Sequence, residues 1–283
     1  MNERSADGPG GRLAADGGEP AAGRERLTYG SYLALDELLA AQRPRTDRPD
    51  EMLFIVIHQV YELWFKQLLY EAARMQRCLA EDAAPAASRA IERMRTILKT
   101  VVAQVDVLET MTPSQFAAFR DALDSASGFQ SGQFREFEVM LGRRDERALR
   151  PFRPDSPERE RLKAAMARPS LFDSLLAYLA ARGYPVPEAV VERDVSVAYE
   201  PSEAVRAALL RVYANDGPEA ALCERMVDLD EGVMEWRYRH VQMVRRMIGS
   251  KPGTGGSAGV DYLASTLMQP AFADLWAVRS EIV

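Results

Sequence analysis

From residue 27 onward, apolar side chains recur at intervals of three and four. That is the period of an α-helix with one face turned to a core. Between about Asp50 and Leu79 the stripe runs through Leu53, Ile57, Tyr61, Trp64 and Leu68. Between about Ala86 and Glu109 it runs through Ile91, Met94, Leu98, Val101, Val105 and Leu108. The next start is marked chemically. Thr112 is a capping residue, Pro113 suits the first helical position, and Gln115 completes a capping box. This predicts a helix to about Leu123, stopping before Ser125–Gly128, and another from Gln130 to Leu141. Residues 142–157 carry arginines, acids and prolines and are predicted as a loop. Two or three shorter helices are predicted in 157–216, interrupted by Gly183, Pro185 and Pro187. A long one follows from about Glu219 to Ile248, and Gly249 stands where a terminating glycine would. After a glycine-dense stretch, 253–259, a last helix is predicted near Val260. Nothing alternates with the period of two that strands require. The fold class is all-α, a single helical-bundle domain over 27–283. Residues 1–26 hold almost no large apolar side chains and are predicted as a disordered N-terminal tail.

Composition narrows the partners. Hydrophobic residues make up 47% and charged residues 28% of 283, enough for a sizeable core. A net charge of −6 argues against sequence-independent nucleic-acid binding, which relies on basic residues neutralising phosphates. A small anion held by one arginine stays possible. Cys78 and Cys223 form no CxxC motif and no disulfide framework, so a reducing compartment is the simplest reading. No apolar run nears the roughly 20 residues that span a bilayer. A cytoplasmic protein with no nucleic-acid and no membrane partner is expected.

Histidine is scarce. The two copies, His58 and His240, each lie four residues after an aromatic residue, Phe54 and Trp236, and so share a helix face with it. One imidazole in an apolar, aromatic wall suits an axial ligand of haem iron. A lone helical histidine is also commonly an ordinary core or surface residue, and spacing does not divide the two. Zinc is disfavoured, because a catalytic site wants about three protein ligands. Arg120 follows Phe116 and Phe119 and could clamp a carboxylate, or simply reach solvent. The glycine-dense stretch with Thr254 offers backbone N–H groups before a helix, a possible anion site. Tyr29 and Tyr32 read as an amphipathic cap for this chain's core or for a neighbouring subunit.

Together these segments resemble the tryptophan 2,3-dioxygenase family. The strings are Leu27-Thr-Tyr-Gly-Ser-Tyr-Leu33, Asp50 through Lys66, Leu108-Glu-Thr-Met-Thr-Pro113, Phe119-Arg120-Asp121, Ser125 through Ser131, Trp236-Arg-Tyr-Arg-His240 and Gly249 through Ser257. The resemblance implies a homotetramer, a dimer of dimers, with one haem b per subunit, active when ferrous. It implies that L-tryptophan and O2 give N-formyl-L-kynurenine, the first step of the kynurenine pathway. It makes His240 the axial ligand and sets His58 opposite, facing the indole N–H. Phe54 would pack on the indole, Phe116 would line the pocket where some members have Tyr, Arg120 would pair with the substrate carboxylate, and Thr254 would hold its polar end. Ser127 would sit near the haem edge. Tyr29, Tyr32 and Leu33 would come from a neighbouring subunit. Val105 departs from relatives that carry an aromatic residue near the haem, and 142–222 matches weakly. The alternative is a related histidine-ligated haem monooxygenase acting on a tryptophan- or tyrosine-like substrate in secondary metabolism.

Overall fold

The computed structural model describes residues 26–124, 126–251 and 260–282, for 129 and 260–262 the backbone only. The expected tail, apart from Arg26, lies outside the described residues, and so does Thr254. The described residues are helical and include no strand. They divide into two compact units, one ending at Ala41 and one beginning at Gln42.

The first unit carries two short helices, α1 (Tyr29–Leu33) and α2 (Leu35–Leu39). A reciprocal cap starts α1. The Thr28 hydroxyl accepts from the Ser31 amide at 3.2 Å, and the Ser31 hydroxyl accepts from the Thr28 amide at 3.0 Å. Ala34, at φ 49°, turns the chain between the helices. Tyr29 and Tyr32 are exposed, at 77% and 71% of their surfaces. That is unusual for large aromatics unless something covers them.

The second unit is built on three long helices, α3 (Pro49–Ala80), α4 (Ala84–Leu108) and α11 (Pro218–Ile248). Their core-facing stripes pack α4 against both α3 and α11. On α4 all six expected stripe residues are buried. On α3 the stripe runs Ile57, Tyr61, Phe65, Leu68, Ala72, Met75, Leu79. Phe65, rather than the expected Trp64, is the buried aromatic; both are three or four residues from Tyr61 and Leu68, and Phe65 is the one that meets Phe134 and Trp236 across the bundle. Full burial of a side chain such as Leu68 or Met75 stabilises the fold by roughly 1.5–3 kcal/mol.

Shorter helices close the bundle: α5 (Pro113–Arg120), α6 (Gly132–Met140), α7 (Pro157–Met166), α8 (Leu171–Ala181), α9 (Glu188–Val191), α10 (Glu203–Asn215), α12 (Val260–Ser265) and α13 (Ala273–Ala277). The expected cap of α5 is present. The Thr112 hydroxyl accepts from the Gln115 amide, and the Gln115 side chain accepts from the Thr112 amide at 2.7 Å. The segment 142–157 is not a bare loop. Asp145 caps a short 3-10 turn, Glu146–Leu149, and Leu149 and Phe152 bury against Val139, Leu162 and Ala165 as a small satellite core. Four helices rather than two or three fill 157–216, the extra one being the single turn α9 after Pro187. Gly249 ends α11 at φ 61°, which a residue with a Cβ adopts only under strain.

The C-terminal segment is tied back to α11 by a buried carboxylate. Asp230 accepts from the amides of Ala271, at 2.8 Å, and Phe272, at 3.0 Å, and from the Trp276 indole at 3.0 Å. Arg237, two turns further along α11, donates to the Gln269 carbonyl at 3.1 Å. No helix among the described residues is long and apolar enough to cross a membrane.

Candidate active site

Helix α5 touches both α3 and α11, and the three open a cavity between them. Its empty space is about 1340 Å3, part of it continuous with solvent. Six of the residues singled out in the sequence line it: Phe54, His58, Phe116, Arg120, Ser127 and His240. Tyr29, Tyr32 and Leu33 belong to the N-terminal unit. Val105 is sealed in the α4 stripe and does not line the cavity.

The α3 wall is an aromatic cluster with one imidazole. The Phe54 and His58 rings lie 4.0 Å apart, as their spacing of one turn requires. Phe54 also meets Phe116 at 5.9 Å and Phe119 at 5.6 Å. His58 Nδ1 donates to the Phe54 carbonyl oxygen at 2.7 Å. A carbonyl only accepts, so Nδ1 carries the proton and Nε2 of the neutral ring keeps a lone pair. Burial holds the ring below the ordinary histidine pKa, against the opposing pull of that hydrogen bond and of Glu62.

On the α11 wall, Trp236 and His240 stack with centroids 5.6 Å apart and planes 18° apart. Tyr61 joins the walls, 6.2 Å from His58 and 5.3 Å from Trp236. His240 is enclosed by protein, and the surface it keeps faces the cavity. Burial, helped by the nearby charges of His58 and Arg135, pushes its pKa down to about 4. At neutral pH the ring is therefore uncharged, the form that binds a metal. No hydrogen bond joins it to another described residue. Among the described residues there is no group of three or more His, Cys, Asp or Glu side chains that could hold a metal ion.

A second feature of the wall went unread in the sequence. Glu138, on α6, is 5% exposed and accepts from Arg135 at 2.6 Å, Arg143 at 2.8 Å and, more weakly, Arg237 at 3.5 Å. Burial alone would raise its pKa, but the three guanidinium groups bring it below the usual carboxylate range. All four residues line the cavity. Arg237 stands inside the string Trp236-Arg-Tyr-Arg-His240, three residues from His240 on the same helix face. That spacing was the available signal. The convergence of α6 and α11 that makes it a cluster is tertiary.

The chain matches the family model described as tryptophan 2,3-dioxygenase over residues 14–154 and 212–282. A tryptophan 2,3-dioxygenase of Anaeromyxobacter dehalogenans is 62% identical over 264 residues, covering 93% of this chain and 99% of that one. The namesake from Herpetosiphon aurantiacus is 53% identical, over 91% of this chain and 99% of the relative. That of Caulobacter vibrioides is 46% identical, over 90% and 98%. The chain belongs to the tryptophan 2,3-dioxygenase family. Every residue that lines the cavity falls inside the two stretches matched by the tryptophan 2,3-dioxygenase model. The unmatched stretch between them carries α7, α8, α9 and the first part of α10, none of which reaches the cavity. The site and the family likeness therefore coincide.

Proposed function

We propose that this chain is a haem-dependent dioxygenase that inserts both atoms of O2 across the indole C2–C3 bond of L-tryptophan, giving N-formyl-L-kynurenine. The observation that carries the reading is the meeting of His240, His58, Phe54, Phe116 and Arg120 on one cavity in a chain of this family. The residues fit haem b. His240 offers an enclosed, neutral imidazole on the cavity wall, the donor that an axial ligand of haem iron needs. When bound, ferrous haem supplies the activation of O2.

The protein's share is binding and orientation. Tryptophan is a zwitterion with an apolar ring. Arg120 ends α5 and would take the carboxylate through paired N–H donors, the geometry a guanidinium provides. Phe54 and Phe116 would flank the indole. His58 Nε2, left as an acceptor by the bond from Nδ1 to Phe54, would receive the indole N–H and fix the ring's rotation. An indole N–H is a very weak acid, so His58 orients rather than removes that proton. Thr254 would hold the polar end of the substrate, Ser127 would face the haem edge, and Tyr29, Tyr32 and Leu33 would complete the pocket of a neighbouring subunit in a homotetramer. The two thiols, Cys78 and Cys223, are free, in keeping with a cytoplasmic setting.

The rival is a monooxygenase of the same site architecture. The stoichiometries differ. Dioxygenation consumes tryptophan and O2 alone, whereas monooxygenation of tryptophan by O2 needs a two-electron reductant to send the second oxygen to water. Labelled O2 is supplied to the ferrous, haem-loaded protein with L-tryptophan, and the product is weighed. Two labelled atoms per product are expected. One labelled atom would identify the monooxygenase.

A further inference from the structure

Helices α1 and α2 bury none of their residues within the single chain, and Leu39 is exposed along with Tyr29, Tyr32 and Leu33. The strap that follows, residues 42–48, forms no helix, yet it is pinned to α3 at two points. Glu51 lies in the first turn of α3, is 2% exposed, and commits both carboxylate oxygens to the strap. Oε1 accepts from the Arg45 amide at 2.8 Å. Oε2 accepts from the Thr46 amide at 2.8 Å and from the Thr46 hydroxyl at 2.5 Å. That hydroxyl in turn accepts from the Arg48 amide at 3.2 Å. The other point is Gln42, whose Nε2 donates to Gln59 Oε1 at 2.6 Å. Glu51 and Gln59 stand about 12 Å apart along the helix, at 1.5 Å per residue. Pro44 within the strap and Pro49 at its end remove backbone freedom. A buried carboxylate is tolerated here because three donors and the positive end of α3 compensate it.

We propose that Glu51 is a positioning residue for the tryptophan pocket of the neighbouring subunit, acting through the strap that precedes α3. The inference rests on the shared-pocket reading above and deepens it by naming what aims the shared segment. The strap begins at Gln42, the residue after the N-terminal unit ends. Pinning it to one helix fixes the point from which that unit is delivered. The single chain gains no core from this, since α1 and α2 bury nothing in it. An assembly does gain, because a segment already held in place loses less freedom when it covers a partner's pocket. Glu51 could act instead on its own cavity, because α3 also carries Phe54 and His58. Those two rings are already held by neighbours, Phe54 by Phe116 and Phe119 and His58 by Tyr61 and the Phe54 carbonyl. The carboxylate of Glu51 faces the strap, and the route through the strap is the one its hydrogen bonds describe.

Glu51→Gln keeps the size of the side chain, removes its charge and sets an amide NH2 against the donors of the strap. The tryptophan KM of the haem-loaded variant is expected to rise roughly tenfold, the size of one lost charge-assisted hydrogen bond. Thr46→Ala removes one donor, is gentler on folding and should raise KM by less, so a misfolded Glu51→Gln does not leave the question open. Subunit mixing then separates the two routes. Either variant is co-expressed with an Arg120→Leu chain, whose own cavity is disabled but whose strap and N-terminal unit are intact. Every working cavity in the mixture belongs to the strap variant. If Glu51 acts on the neighbour, cavities served by the Arg120→Leu chain regain the wild-type KM, and a low-KM component appears. If all turnover keeps the raised KM, Glu51 acts within its own chain and the proposal is overturned. A wild-type KM in both strap variants overturns it as well. The shared-pocket reading has a separate check, the pairing of Arg120→Leu with a chain carrying Tyr29→Ala and Tyr32→Ala. Activity that returns there without the low-KM component sinks the Glu51 assignment alone, and no return sinks both. A wild-type chain that does not consume tryptophan would fail the functional reading itself, and this assignment with it.

Discussion

His58 and His240 are both enclosed and both neutral, yet their surroundings prepare them for different work. His58 has one nitrogen committed to the Phe54 carbonyl, which fixes its tautomer and its orientation. His240 stacks on Trp236 and has no such commitment among the described residues. A ring that must bind a metal needs an available lone pair, and a ring that must read an N–H needs a fixed direction. His240→Ala is accordingly expected to abolish the ferrous haem spectrum, while His58→Ala keeps it and loses turnover. Absorption spectra of the two reduced variants decide, and interchanged phenotypes would reverse the assignment. His58 also sets a pH dependence. Its folded pKa lies below the ordinary 6.5, so the ring is neutral at and above that pH and takes its second proton only on the acid side. Protonated Nε2 donates and no longer accepts. Tryptophan affinity should therefore be level above pH 6.5 and decline only below it. The acid decline should be absent in His58→Ala, measured as Kd against pH; an unchanged decline there would remove His58 from indole recognition. Stability follows the same sign. Both rings bind protons more readily when unfolded, so the apoprotein is most stable with respect to these groups above pH 6.5. It loses that contribution as pH falls through their folded values, about 4 for His240.

At the scale of elements, the site depends on ends as much as on faces. Helix α5 is only eight residues long, too short to be stable alone, and it carries Phe116, Phe119 and Arg120. Its reciprocal Thr112–Gln115 cap holds its first turn. Thr112→Ala should cost about 1 kcal/mol and lower the melting temperature by roughly 2–4 °C. It should also raise the KM for tryptophan more than it changes kcat, because it loosens the helix that presents Arg120. Asp230→Ala is a harsher change, since it strands the buried Phe272 amide, at about 1–3 kcal/mol, together with the half-buried donors of Ala271 and Trp276. Thermal melts of the two variants should rank Asp230→Ala well below Thr112→Ala. These elements also divide what was legible in the sequence from what was not. Caps are local chemistry, so Thr112, Pro113, Gln115 and Gly249 marked their helix ends correctly. All six residues named on the stripe of α4 are buried, because one face of it is buried throughout, although Ile97 and the small Ala84, Ala87 and Ala90 on that face were not named. The 3-10 turn at Glu146–Leu149 was not foreseen, because its stability comes from Leu149 and Phe152 meeting Leu162 and Ala165 of a different element. The arginine cluster was missed for the same reason. Arg135, Glu138 and Arg143 look like an ordinary charged helix surface until Arg237 of α11 is brought beside them. The roles of the two histidines were legible only through the family strings around them.

At the scale of the whole molecule, the N-terminal unit poses a question of assembly. Its helix α1 is well capped, yet Tyr29 and Tyr32 are largely exposed within the single chain. Burying two such aromatics is worth several kcal/mol, which the proposed assembly would supply by covering them with another chain. In the proposed homotetramer, the α1 residues of one subunit serve the pocket of the next. Subunit mixing tests this without reference to any distance. One variant carries Arg120→Leu and an intact N-terminal unit, the other carries Tyr29→Ala with Tyr32→Ala and an intact cavity. Each alone should be nearly inactive. If pockets are shared, co-expressed mixed assemblies contain some sites built from the intact cavity of one chain and the intact α1 of the other, and activity returns above that of either variant. If each chain completes its own pocket, every site in the mixture keeps its lesion and no activity returns. Light scattering on the same samples supplies the second half of the argument, since complementation requires an assembly of at least two chains and the proposal expects four.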